Sequence, residues 1–197
     1  MPEICLLNQL IQSINLNYRV FKKYKMKKVK FLILVAALFA TFSCDKDEAE
    51  KIGDFDVEKY IILLKTGQYK PLELPAFTDK DIPALLEYRD ETQLITDFPI
   101  NGISSLWLSE CTLGMYVLWT VESIRAVAIE SENLIGRFPS LNPIVQKRED
   151  PSSLEYGAEA HNVISQAYFD WWEENKHKDF NDFKDIDPLL KTIYSWH

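Results

Sequence analysis

Three histidines, one interior cysteine, a serine pair and a surplus of acids are the residues of this 197-residue chain whose side chains could do chemistry. A metal site needs ligands that meet on one face, as HxxxH or HExxH spacing provides on a helix. His161 and His177 are too far apart in sequence for either pattern, and His197 is the last residue, so no metal is expected. A serine nucleophile needs a strained turn such as GxSxG, which is absent, and Ser104-Ser105 reads instead as a helix cap. Glu110 and Glu122 flank an uncharged stretch. Twelve residues at 100° each leave them about 120° apart on a helix, so they form no glycosidase-like pair. Cys111 has no neighbouring His or basic residue to lower its pKa and reads as a small buried hydrophobe. Gly53, Gly67, Gly102, Gly114, Gly136 and Gly157 never cluster, so there is no phosphate-cradling loop and no cofactor is expected. What remains is aromatic chemistry. Trp119, Trp171 and Trp172 fall on helical stripes and belong to a core. Trp107 and Trp196 are free enough to serve as ligand platforms, of the kind that stack on a sugar ring.

These residues must be positioned by helices joined through proline-bearing loops. Asp56 is a natural N-cap, and Val57, Tyr60, Ile61 and Leu64 follow at helical spacing until Gly67 ends the segment. Thr78 and Asp81 form a capping pattern, with Phe77 and Ile82 as a hydrophobic staple, ahead of the buried face Leu85, Leu86 and Tyr88. The spacing predicts a third and longest helix from Ser104 or Ser105 to about Glu130. Its stretch Cys111–Val121 carries no charge and must be enclosed on all sides. Glu122 and Arg125 pair at i, i+3 where this helix emerges. Residues 137–153, with Pro139, Pro143 and Pro151, read as the longest loop. A fourth helix covers roughly Glu155 to Lys176, with Val163, Ile164, Ala167, Tyr168, Trp171 and Trp172 facing a core shared with Met115, Leu118 and Trp119. A short helix near Phe180–Asp185 follows. No Val/Ile/Thr alternation demands a sheet, so the fold class expected is all-α, a bundle or short α-solenoid of about four to six helices.

Charge divides the chain. Residues 1–43 hold seven of the 22 basic residues and one of the 30 acids, leaving 15 basic and 29 acidic residues and a net charge of −14 in the remainder. That sign repels nucleic-acid phosphate, so no nucleic acid is expected as a partner. From Met26 the basic residues Lys27, Lys28 and Lys30 lead into the apolar run Phe31–Phe42 and then Ser43-Cys44. The run is shorter than the ~20 residues of a spanning helix and suits a signal-peptide core. Residues 1–25 precede this complete signal, either as an extension from a misplaced start codon or as a long n-region. The organisation expected is therefore an extension (1–25), a signal peptide (26–43), a charged tether (44–54) and one domain (55–197).

Ser43-Cys44 at the end of that apolar run resembles a bacterial lipoprotein lipobox. The resemblance implies diacylation of Cys44 and anchoring in a membrane. Thr41 and Phe42 depart from the Leu and small residue that a lipobox prefers. Lys46-Asp47-Glu48 after Cys44-Asp45 is similar to the export signal of Bacteroidetes surface lipoproteins, which implies an outer-membrane protein facing the medium. Asp45 alone is similar to an inner-membrane retention signal of enteric lipoproteins, but the whole tetrad fits the surface reading. Asp81-Ile82-Pro83-Ala84-Leu85-Leu86 together with the Trp171-Trp172 helix resembles HEAT-type helical proteins in architecture, without a clean repeat of ~40 residues. Leu74-Pro75-Ala76-Phe77, Asp81-Ile82-Pro83 and Phe98-Pro99-Ile100-Asn101 resemble a pattern in uncharacterised Bacteroidetes lipoprotein domains, a likeness that implies a location and a fold but no chemistry.

Three functional readings follow. The first is a non-catalytic, lipid-anchored module for binding or assembly with another surface protein. The second is a glycan-binding accessory of a nutrient-uptake system, which requires exposed Trp or Tyr beside polar side chains. The third is an enzyme of unrecognised type, which requires a cleft with convergent acids or His161.

Overall fold

The computed structural model describes residues 56–197. Cys44, the triad Lys46-Asp47-Glu48 and the boundaries drawn before residue 55 lie outside the described residues.

Helix α1 spans Val57–Lys65. Asp56 caps it, its carboxylate accepting from the Lys59 amide at 2.7 Å, and Val57, Tyr60, Ile61 and Leu64 are its buried stripe. It ends in a Schellman motif: Gly67 donates to Leu64 O and Gln68 to Leu63 O, with Gly67 at φ +65°. A 3₁₀ turn at Asp79–Asp81 then leads into α2, Ile82–Leu86, behind the reciprocal Thr78–Asp81 capping box. Pro83 lies in the first turn of α2, where its missing N–H leaves nothing unpaired.

Strands β1 (Leu94–Ile95) and β2 (Cys111–Thr112) pair antiparallel, with Leu94 opposite Thr112 and Ile95 opposite Cys111. This pairing sets the start of the central helix. Thr112 leaves β2 as the N-cap of α3, Leu113–Ala128, and accepts from the Met115 amide. The helix expected from Ser104 therefore starts at Leu113. Ser104 instead pins a loop, accepting from Leu106 N and from Asn142 Nδ2. Thirteen of the sixteen residues of α3 are buried. At Gly114 the helix runs so close to its neighbours that an added Cβ would lie 2.4 Å from Arg89 O and 2.5 Å from His161 Nε2.

The expectation of an all-α bundle or HEAT-like solenoid is overturned downstream of α3. Val145–Lys147 (β3), Asp150–Glu155 (β4) and Tyr194–Trp196 (β5) form an antiparallel sheet in the order β4-β3-β5. The fold is mixed: four helices and two small antiparallel sheets among the described residues. Segment 137–153, read as a loop, supplies β3 and the start of β4. Its strand character is faint because β3 has three residues and β4 reads Asp-Pro-Ser-Ser-Leu-Glu, with no β-branched residue. Pro151 is tolerated because β4 is an edge strand. Glu155, expected to open the next helix, closes β4 instead. Helix α4 runs Ala158–Asn175 from Gly157, and a 3₁₀ turn covers Phe180–Asp182.

One core joins these parts, with α3 at its centre against α2 and α4. Trp119, Tyr116, Tyr60 and Tyr168 are among its largest fully buried side chains. Trp171 is buried against Phe183, whereas Trp172 is half-buried at the edge of the same cluster. No helix among the described residues is long and apolar enough to cross a membrane.

Candidate binding site

The last turns of α3, the middle of α4 and strand β5 converge on one buried polar chain. Glu122 is 7% exposed. Arg125 grips its carboxylate, with Nε 3.0 Å from Oε2 and 3.2 Å from Oε1, and Nη2 2.5 Å from Oε1. The Tyr168 hydroxyl donates to Oε2 at 2.6 Å, and in turn accepts from the Trp196 indole Nε1 at 2.8 Å. Arg125 Nη1 reaches Lys184 O at 3.2 Å. Burial opposes the Arg125 charge, but the hydrogen bonds and charge of Glu122 outweigh it and hold the guanidinium above its ordinary pKa. Burial, aided by the Glu122 charge, likewise holds the Tyr168 phenol well above its usual value. The hydroxyl therefore remains a donor, and every link of the chain has a fixed direction.

This chain ends at the wall of an open cleft of about 570 Å³ between the end of α3, the following loop and β5. Its lining includes Ser195, Trp196 and His197 at the end of the chain and Ser131, Asn133 and Ile135 from the loop after α3. The register explains the placement: Trp196 stands opposite fully buried Val145 in the ladder, and its indole meets the Tyr168 ring edge-to-face while also lining the cleft. His197 is held through its backbone, which donates to Ile144 O at 3.1 Å and accepts from Leu141 N at 2.8 Å. Its Nδ1 lies 3.3 Å from Asn142 Nδ2. Burial pushes the His197 pKa below its usual value. A second groove, of about 480 Å³, runs along α4 and is lined by Val163, Ala167, Trp171, Ile186 and Leu190.

The residues singled out in the sequence fall in different places. Trp196 lines the cleft, half-buried and tied to Tyr168. Trp107 is 82% exposed in the loop between β1 and β2 and is not part of the cleft's lining. The two platforms are therefore not brought together in the cleft. His161 is buried beneath α3, bonding Arg89 O through Nε2 at 2.8 Å and Thr112 Oγ1 through Nδ1 at 3.3 Å, and His177 is exposed on the surface. Among the described residues no three His, Cys, Asp or Glu side chains converge as a metal site. Cys111 is a free, buried thiol whose pKa burial pushes up, with the Glu110 charge adding to the effect. Glu110 itself is exposed, outside α3 altogether.

The family model for a domain of unknown function, DUF4943, matches residues 51–197. The chain belongs to that family. The match spans every element described above, so the cleft lies wholly within the DUF4943 domain. No curated protein and no solved structure matches the chain.

The i, i+3 spacing anticipates the Glu122–Arg125 pair of this DUF4943 domain but places it where the helix emerges. Both side chains are instead close to one-tenth exposed, because α4 and β5 close over them. The signal for β5 is present in the alternation Ile193-Tyr194-Ser195-Trp196. At four residues it is too short to weigh against the helical periodicity upstream.

Proposed function

We propose that this DUF4943 chain is a lipid-anchored, non-catalytic binding module whose contact site is the cleft at Trp196. The observation that carries the reading is the Trp196–Tyr168–Glu122–Arg125 chain. It commits a buried ion pair and two hydrogen bonds to fixing one indole at a cleft wall. Its one carboxylate is saturated by Arg125 and Tyr168, an arrangement that holds a surface in place. Anchoring follows from the lipobox-like Cys44, and outward display from Lys46-Asp47-Glu48, so the membrane partner is the outer leaflet of a bacterial outer membrane.

Each part has its own test. Cys44→Ser should lose palmitate labelling and leave the membrane fraction, and unchanged labelling and partitioning would contradict the anchor. Replacing Lys46, Asp47 and Glu48 by Ala should protect the chain from protease added to intact cells. Equal digestion of variant and wild type would reduce the triad to a linker. For the cleft, the immobilised full chain is incubated with solubilised cell envelope beside Trp196→Ala and Trp107→Ala. Retained material lost only with Trp196→Ala supports the reading, and equal retention by all three contradicts it.

A further inference from the structure

We infer that the cleft takes a neutral saccharide unit stacked on Trp196, an assignment that rests on the chain being a binding module. The charges of the lining exclude the anionic alternatives first. Arg125 is the one Lys or Arg among the described lining residues, and it is committed to Glu122 and to Lys184 O. No free cation is left to pair with a phosphate or carboxylate, and Glu132 in the lining repels them. Asp187 is also committed, through Arg148 at 2.7 Å, so the cleft lacks the ring of free acids that would select a polycation.

What is free is uncharged. Among the described residues, the Asn133 amide and the Ser195 hydroxyl line the cleft with no protein partner. The His197 imidazole joins them, with Asn142 beside its Nδ1. Ser131 Oγ accepts from Asn133 N and keeps its own hydrogen to give. These groups offer both donors and acceptors, as the vicinal hydroxyls of a pyranose require. A sugar ring also has a face of C–H bonds, electropositive against the negative π face of an indole. An indole serves that purpose best when it cannot rotate away, and Trp196 is held by its Nε1 bond to Tyr168. Preorganisation of this kind lowers the ordering cost of binding. Ile103, Ile135, Pro139, Leu141 and Leu189 supply the apolar remainder of the lining, and the volume falls within the roughly 300–1,000 Å³ usual for small-molecule sites.

Isothermal titration of the full chain in detergent tests the assignment with four probes: neutral hexose and N-acetylhexosamine tetrasaccharides, a glucuronate oligomer and a glucosamine oligomer. The neutral probes should bind saturably, and Trp196→Ala should weaken them tenfold or more, with Trp107→Ala unchanged. Because Trp196→Ala also removes a bond to Tyr168, Asn133→Ala and Ser195→Ala provide the fold-neutral check. Each should weaken binding several-fold at an unaltered thermal midpoint. Binding of only a charged oligomer, still sensitive to Trp196, would overturn the neutral assignment and keep the binding module. Binding of neutral probes that ignores Trp196, Asn133 and Ser195 would overturn the site. Failure of all four probes would overturn the saccharide assignment, and the envelope experiment with Trp196→Ala then decides separately whether the module reading stands.

Discussion

Tyr168→Phe removes one oxygen from the centre of the buried chain and leaves every apolar contact in place. Two bonds go with it, the 2.6 Å donation to Glu122 and the 2.8 Å acceptance from Trp196. A bond to a charged group contributes about 1.5–3 kcal/mol, and a buried donor left unpaired costs about 1–3 kcal/mol. Trp196 is only half-buried, so water at the cleft wall recovers part of the second term, and Arg125 still holds the carboxylate. The net loss should be about 2–4 kcal/mol, a large share of the roughly 5–15 kcal/mol a domain has. Urea denaturation followed by far-ultraviolet dichroism should show a lower midpoint at unchanged slope. Trp196→Phe completes a cycle. Added to Tyr168→Phe, it should cost about 1 kcal/mol less than in wild type, because the partner of its indole N–H is already gone. A loss below about 0.5 kcal/mol for Tyr168→Phe, or strict additivity in the cycle, would refute the argument that this network fixes the indole.

Three further outcomes follow from the same structure. Gly114→Ala forces a Cβ against Arg89 O and His161 Nε2 and should destabilise by about 2–4 kcal/mol, read from the denaturation midpoint. Trp171→Ala empties the cluster around Phe183 and should cost about 3–5 kcal/mol, while Asp170→Ala on the solvent side should stay within about 0.5 kcal/mol by the same assay. Burial holds the His197 imidazole below its usual pKa, so the unfolded chain binds the proton more readily. The stability it contributes is complete above about pH 6.5 and is lost as pH falls through the lower folded value. His197→Gln should flatten that acid limb, and an unchanged limb in denaturation curves across about pH 7 to 5 would contradict it.

The parts of the fold legible in the sequence are those whose signal is local. Asp56, Gly67 and the Thr78–Asp81 box are caps formed within a few residues, and each appears where its spacing places it. The uncharged stretch Cys111–Val121 announces a central helix because enclosure demands apolar residues on all sides. The sheets are hidden because their stability is not local. Strands of two, three and six residues carry little propensity of their own, and β5 reaches β3 only after α4 and the Phe180 turn have intervened. The start of α3 escapes local reading for the same reason, since the β1–β2 pairing claims Cys111 and Thr112 across an intervening loop that no local pattern reports. At the site, Trp196 is visible as an aromatic outside the helical stripes. Its placement depends on Tyr168 and Glu122, which are distant in sequence and meet only once the core has closed.

The most direct measurement is hydrogen–deuterium exchange of the full chain with and without a saturating neutral oligosaccharide. If the cleft is the contact site, added protection concentrates in 131–135 and 194–197, the two walls that carry Asn133, Ser195 and Trp196. The groove along α4, at Val163 and Leu190, should exchange as before. Protection confined to that groove or to the loop around Trp107, with 131–135 and 194–197 unchanged, would contradict the account.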